Sequence, residues 1–90
     1  MTSQDHIDFF WRPGCGFCMS LERRLKNAGV TFKKHNIWEN KRDRAFVKSV
    51  AHGNETVPTL RIGSKSLVNP SLSQVLQAMK SEVPHLVPRK

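Results

Sequence analysis

The sequence has little cysteine, few acidic side chains and no long apolar run, and each shortage excludes a class of protein. Two cysteines cannot form the disulfide framework of a small secreted domain, which needs several pairs spread along the chain. No apolar stretch approaches the roughly 20 residues that cross a bilayer. The polar start of the chain, which carries an acid, does not fit a secretory signal. We therefore expect a cytoplasmic protein that does not enter a membrane.

The charge balance is strongly basic. Seven Asp and Glu stand against 15 Lys and Arg, which gives a formal charge of +8. Such a charge attracts polyanions, including nucleic acid and acidic proteins. The basic residues are scattered, however, so solvated helix faces and strand ends explain them better than a dedicated nucleic-acid surface. A basic nucleic-acid-binding module without enzymatic activity is kept only as a distant alternative.

The order of the predicted elements indicates one domain at residues 1–83, followed by a basic, mobile tail at 84–90. Residues 7–11 alternate as a strand does, and a helix with one apolar face follows around the cysteines. A polar strand at 30–37, a helix at 41–51, a hairpin of strands at 59–62 and 65–68, and a last amphipathic helix complete the chain. The order βαβα-ββα predicts an α/β, thioredoxin-like fold, with a four-stranded mixed sheet flanked by three helices.

Cys15 and Cys18 lie where the first strand ends and a helix begins. The first N–H groups of a helix are unpaired and its dipole is positive there, so both effects favour a thiolate at Cys15, the attacking species in disulfide exchange. Cys18 follows almost one turn later on the apolar face, so we expect it to be buried and to resolve a mixed disulfide formed at Cys15. Gly14 and Gly16 let a substrate backbone approach the sulfur, and Phe17 offers an apolar contact.

Half of a structural zinc site is the other common use of this cysteine spacing. Tetrahedral zinc needs a full set of ligands. The chain has no second cysteine pair, and its four histidines are scattered. We therefore predict no metal site.

The sequence around the cysteines resembles the active site of glutaredoxins, in which a basic residue precedes Cys-Pro-Tyr-Cys. Here it reads Trp11-Arg12-Pro13-Gly14-Cys15-Gly16-Phe17-Cys18. The resemblance implies that Cys15 is the nucleophile, that Cys18 is the resolving thiol and that Arg12 lies beside the groove for the thiol ligand.

The resemblance extends to Thr56-Val57-Pro58, which precedes the third predicted strand, and on to the last helix. It implies that Pro58 is cis and faces the nucleophilic sulfur. It also implies that the backbone of Val57, next to Thr56, hydrogen-bonds to the ligand. A proline that only begins a strand is the simpler interpretation of such a pair.

Ahead of the last helix the sequence departs from glutaredoxins that use glutathione. Those proteins carry Gly-Gly-x-Asp, which holds the γ-glutamyl end, whereas this segment reads Val68-Asn69-Pro70-Ser71. With the residues around Thr56-Val57-Pro58, it is similar to the mycoredoxin branch of actinobacteria, which serves the sugar-based thiol mycothiol. Asn69 and Ser71 are therefore candidate thiol-binding residues, and one of them is also expected to cap the last helix.

The resemblance implies an oxidoreductase with no bound cofactor, which reduces mixed disulfides between proteins and a low-molecular-weight thiol. Mycothiol ranks before glutathione as that thiol, and its own reductase would restore it. The alternative is a thioredoxin-like reductant of protein disulfides, recharged by a flavoprotein such as thioredoxin reductase and able to serve ribonucleotide reductase. Gly16 favours this alternative slightly, because thioredoxins also have glycine there. A monomer is expected in either case.

Overall fold

The strands and helices follow the predicted order in the computed structural model, which describes residues 7–88. The strands are β1 (Ile7–Trp11), β2 (Phe32–Asn36), β3 (Thr59–Ile62) and β4 (Lys65–Val68). The helices are α1 (Gly16–Asn27), α2 (Lys41–Val50) and α3 (Leu72–Glu82). The sheet order is β2-β1-β3-β4, with β1 and β2 parallel and the other two pairs antiparallel. The predicted mixed sheet of an α/β, thioredoxin-like fold is confirmed.

The central strand β1 is buried on both faces because helices cover both sides of the sheet. Ile7 and Phe9 belong to the larger core, which α1 and α3 complete, whereas Phe10 joins a second core with Ile37 and with Val47 of α2. All five side chains are 0% exposed. Full burial of a large apolar side chain contributes roughly 1.5–3 kcal/mol, so β1 is the best-anchored strand and fixes the start of α1.

Side-chain caps begin the second and third helices. At the start of α2, the Asn40 Oδ1 accepts a hydrogen bond from the Asp43 N–H at 3.0 Å. Ser71 caps α3: its Oγ accepts from the Gln74 N–H at 3.2 Å, and the Gln74 Oε1 accepts from the Ser71 N–H at 2.9 Å. Asn69, the other predicted cap, instead adopts a positive φ of 50° in the loop before the helix, a conformation that asparagine tolerates.

Two predicted boundaries differ from the structure by two residues or more. The Val30 N–H donates to the Leu25 carbonyl at 3.0 Å, which closes the end of α1, so β2 begins at Phe32 rather than at residue 30. The tail predicted to begin at residue 84 first forms a 3-10 helix at Pro84–Leu86, and Leu86 and Val87 pack against the larger core. Regular structure therefore continues past the predicted domain boundary. Mobility of the tail stays a prediction, and residues 89–90 lie outside the described residues.

Helix α2 has a single buried residue. Val47 is fully buried, whereas Phe46 and Val50 are half-buried. Phe46 packs its ring 4.9 Å from that of Phe10, at the edge of the second core. Within residues 7–88, no helix has the length and apolar character needed to span a membrane.

Candidate active site

Cys15 is the N-cap of α1, just beyond the end of β1. Its backbone is extended, with φ −94° and ψ 105°, and its Sγ accepts a hydrogen bond from the Cys18 N–H at 3.1 Å. The sulfur therefore faces the unpaired N–H groups and the positive end of the helix dipole, where a negative charge is stabilised. The first turn of α1 contains no acidic residue to oppose this effect.

Cys18 lies behind Cys15 and is 2% exposed, compared with 7% for Cys15. Burial raises the pKa of the Cys18 thiol well above its usual range, and the interaction with Cys15 raises it further. A backbone hydrogen bond from Arg12 lowers the pKa but is outweighed. Cys18 is thus held as a thiol, whereas the sulfur of Cys15 lies at the positive end of the helix. The two sulfurs are not joined in a disulfide in this structure. This asymmetry is consistent with the predicted nucleophile and resolving roles.

The loop before β3 lies against the sulfur of Cys15. The Val57–Pro58 peptide bond is cis, as the resemblance implies. The Cys15 Sγ donates a long hydrogen bond to the Val57 carbonyl oxygen, at 3.8 Å. The structure therefore brings the two halves of the predicted site together, although 42 residues separate them along the chain.

Two hydrogen bonds hold this cis-proline loop in place. The Thr59 Oγ1 donates to the Thr56 carbonyl oxygen at 2.7 Å, and the Asn69 N–H donates to the Pro58 carbonyl oxygen at 2.7 Å. Thr59 and Pro58 are both fully buried. The loop is thus attached both to β3 and to the connection between β4 and α3, which fixes its position beside the cysteines.

Arg12 extends toward the loop that follows β2. Its guanidinium carbon lies 5.7 Å from the ring centroid of Trp38, and its Nη1 donates a weak hydrogen bond to the Pro13 carbonyl at 3.5 Å. Trp38 is 55% exposed and was not among the residues predicted for the site. Arg12 follows β1 and Trp38 follows β2, and these two strands are parallel neighbours. Their carboxyl ends therefore lie side by side, which is the signal in the sequence that could have placed Trp38 near Arg12.

The two glycines that flank Cys15 are exposed and have open space around them. A Cβ atom added at Gly14 or at Gly16 would meet no atom within 4 Å. Gly14 has a φ of +78°, which other residues rarely adopt. Phe17 is 71% exposed and so presents an apolar surface to solvent next to the cysteines.

A cavity of about 250 Å³ lies between α1 and the connection from β4 to α3. It is lined by Phe17, Ser20, Leu21, Arg24, Asn69 and Pro70. Phe17 and Asn69 were predicted for the site, whereas the other lining residues were missed. The spacing of the α1 residues is that of one helix face, which is a signal in the sequence for their shared position. Ser71 is not part of the lining, and its hydroxyl oxygen serves the α3 cap.

Metal binding finds no support in the arrangement of the ligand-type side chains. Among residues 7–88, no group of three or more His, Cys, Asp or Glu side chains is placed to hold a metal ion.

A mixed four-stranded sheet with two cysteines at the start of a helix and a cis-proline loop facing them defines a thiol–disulfide oxidoreductase of the thioredoxin fold. Residues 7–67 match the Glutaredoxin family. A Mycobacterium tuberculosis protein described as a glutaredoxin (strain ATCC 25618 / H37Rv) is 37% identical over 62 residues, which is 68% of this chain and 74% of that protein. The chain belongs to the glutaredoxin family.

Solved structures show the same fold. The glutaredoxin of Brucella melitensis is 23% identical, with a TM-score of 0.65 over 96% of this chain and 91% of that chain. The glutaredoxin-like NrdH-redoxin of Escherichia coli, described as having a thioredoxin-like activity profile, is 24% identical, with a TM-score of 0.58 over 70% of this chain and 80% of that chain. The family match and the mycobacterial relative confirm the glutaredoxin family that the cysteine motif predicted, and the mycoredoxin branch stays a prediction.

Proposed function

We propose that this protein reduces mixed disulfides between other proteins and a low-molecular-weight thiol, and that the thiol is mycothiol. One observation carries the proposal. Cys15 lies at the positive end of α1 and against the cis-proline loop, while the thiol of Cys18 is more deeply buried behind it. One sulfur is placed to attack an incoming disulfide, and the other is kept for a second step.

The first step is a thiol–disulfide exchange at Cys15. Its thiolate attacks the small-thiol sulfur of the mixed disulfide, a new sulfur–sulfur bond forms, and the protein sulfur leaves as a thiolate that takes up a proton. The small thiol stays attached to Cys15. The Cys18 N–H, 3.1 Å from the Cys15 Sγ, stabilises negative charge on that sulfur when it attacks and again when it later leaves.

Two routes then free Cys15. In the first, a second small thiolate attacks the attached small thiol, which forms the small-thiol disulfide and releases the Cys15 thiolate. A reductase returns that disulfide to two thiols with electrons from NADPH. In the second route, Cys18 loses its proton and attacks the Cys15 sulfur, which expels the small thiol and leaves a Cys15–Cys18 disulfide for later reduction.

Three observations support mycothiol over glutathione as the small thiol. The acidic position of the glutathione-using proteins holds Ser71, whose hydroxyl oxygen is engaged in the α3 cap. The neighbouring Asn69 offers a neutral amide. The relative at 37% identity comes from a mycobacterium, and thus from the actinobacteria, the group of the mycoredoxin branch. A cytoplasmic monomer without a bound cofactor fits this function and stays part of the proposal.

The experiment follows NADPH oxidation with a peptide mixed disulfide and three coupling systems: mycothiol with its reductase, glutathione with its reductase, and thioredoxin reductase alone. We expect turnover with the mycothiol system. Cys15→Ser is expected to abolish it, whereas Cys18→Ser is expected to retain the first route, because that route uses one cysteine. Complete loss of mixed-disulfide reduction in Cys18→Ser would contradict the first route, which needs only Cys15.

A thioredoxin-like reductant of protein disulfides is the second candidate. Gly16 favours it, and the fold likeness to an NrdH-redoxin with a thioredoxin-like activity profile is compatible with it. This function predicts turnover with thioredoxin reductase alone and an absolute need for both Cys15 and Cys18. The same three-system assay therefore distinguishes the two candidates.

A further inference from the structure

The cavity on α1 is adjacent to the reacting sulfur along two chains of contacts. Phe17, which lines it, follows Cys15 by two residues in the chain. Asn69, which lines the opposite side, donates its N–H to the Pro58 carbonyl, in the loop that contacts the Cys15 Sγ. Cys15 does not itself line the cavity, so a thiol bonded to its sulfur would enter the cavity by extending past Phe17 and along the cis-proline loop.

The size of the cavity limits what can enter it. Its volume of about 250 Å³ corresponds to roughly eight water molecules at about 30 Å³ each. It lies just below the usual range of complete ligand pockets, roughly 300–1,000 Å³. The cavity therefore suits one ring or a group of similar size, which is one part of a small thiol rather than the whole molecule.

The lining distinguishes charged from neutral groups. It contains one cation, Arg24, two neutral hydrogen-bonding side chains, Ser20 and Asn69, and no carboxylate. The ammonium of a γ-glutamyl group would find no carboxylate in the lining, and its carboxylate could pair only with Arg24. Arg24 is exposed, and an ion pair with an exposed side chain contributes little.

A hydroxyl-rich group matches every polar side chain of the lining. Hydroxyls accept hydrogen bonds from guanidinium N–H groups and also donate to amide and hydroxyl oxygens. The apolar wall from Phe17, with Leu21 beside it, can cover the C–H face of a ring. From this match we propose that the cavity is the specificity subsite for the small thiol and takes an uncharged, hydroxyl-rich ring, with Arg24 and Ser20 as the recognising side chains. The inference rests on the proposed function.

The neighbouring arginine provides a matched control. Arg23 and Arg24 are both exposed on α1, but only Arg24 lines the cavity. Arg23→Met and Arg24→Met remove the same charge from the same helix. Any effect through the general positive field near Cys15 is therefore shared by the two variants, whereas a contact with the ligand belongs to Arg24 alone.

The test measures kcat/KM for one peptide carrying a mixed disulfide with mycothiol, with glutathione or with N-acetylcysteine, which lacks the sugar. We expect the ratio of the mycothiol to the N-acetylcysteine value to fall roughly tenfold in Arg24→Met, the size of one hydrogen bond from a charged donor. Ser20→Ala should lower the ratio by a smaller factor. The ratio should keep its wild-type value in Arg23→Met.

The possible failures are distinguishable. A wild-type protein that turns over none of the three mixed disulfides, while accepting electrons from thioredoxin reductase, would overturn the proposed function. Wild-type turnover with equal mycothiol ratios in Arg24→Met and Arg23→Met would overturn the subsite alone. A larger loss in Arg24→Met for the glutathione disulfide than for the mycothiol disulfide would also overturn it, because the cavity would then select for an anion.

Discussion

Replacing Asp8 by asparagine is expected to destabilise the sheet without changing the cysteines. Asp8 lies on β1, and its carboxylate joins three strands: Oδ1 accepts from the His35 Nε2 of β2 at 2.8 Å, and Oδ2 accepts from the Arg61 Nε of β3 at 3.1 Å. The exposed fractions of the three side chains are 11% for Asp8, 18% for His35 and 42% for Arg61. Asparagine keeps the shape but removes the charge and one acceptor oxygen.

The expected cost follows from the burial of each contact. A hydrogen bond with a charged group contributes about 1.5–3 kcal/mol, and most of that is expected to be lost at His35, whose bond to Asp8 is the less exposed of the two. The Arg61 side chain is partly in water and can be rehydrated, so its bond resembles a surface ion pair of roughly 0.2–1 kcal/mol. Asp8→Asn should therefore cost about 2–3 kcal/mol, which lowers the Tm of a domain of this size by roughly 10–20 °C.

Urea unfolding followed by tryptophan fluorescence measures this free energy. Asp43→Asn is the matched control, because Asp43 contacts the same His35 at the longer distance of 3.6 Å and is 24% exposed. We expect it to cost less than about 1 kcal/mol. The rate at which iodoacetamide modifies Cys15 should be the same in wild type and in Asp8→Asn, which separates loss of stability from damage to the site.

The pH dependence of the free energy of unfolding supplies a second check on the contribution of Asp8. Burial alone would raise the pKa of Asp8, but the bonds to His35 and Arg61 more than offset it, so the pKa is lowered. The stabilisation is thus fully present above the unfolded value of about 3.9 and is lost as pH falls through the lower folded value. A cost below about 0.5 kcal/mol for Asp8→Asn, or one no larger than that of Asp43→Asn, would refute this account of the cluster.

Two further predictions concern the active site. Because burial raises the pKa of Cys18, iodoacetamide at neutral pH should modify Cys15 alone, as read by peptide mass spectrometry, and comparable labelling of both sulfurs would contradict the burial argument. Thr59→Val removes the bond to the Thr56 carbonyl and should cost about 1 kcal/mol of stability and slow the reaction of Cys15 with a test disulfide. Thr59→Ser keeps the hydroxyl and is the control, so equal rates in the two variants would show that the bond does not position the loop.

The polar composition of β2 shows that the local sequence pattern does not always indicate why a segment forms a strand. Its lysines and histidine contradict the usual pattern of a buried strand, yet the strand exists because β2 is an edge of the sheet. Lys34 extends over the Trp11 ring at 4.4 Å and pairs with Glu22 of α1 at 3.2 Å, and His35 pairs with Asp8. Lys34 and His35 thus have partners from other elements, which the sequence of β2 alone does not reveal.

The sequence by itself determined the element order, the family and the position of the cysteines at a helix start. These features depend on local signals: apolar period, turn residues, caps and the short spacing of Cys15 and Cys18. The same signals erred by two residues at the start of β2, where a backbone bond from Val30 closes α1 first. They also placed the end of regular structure too early, because the packing of Leu86 and Val87 on the core is not a local property.

Only the tertiary structure decided which distant side chains meet. The order β2-β1-β3-β4 places residues 8, 35 and 61 on neighbouring strands, and the connection before α3 brings Asn69 beside Phe17 and Arg24. Because a helix turns about 100° per residue, Arg24 lies on the face of α1 that lines the cavity, and the adjacent Arg23 does not. The spacing indicates that shared face, but only the tertiary structure shows that Asn69 and Pro70 lie against it.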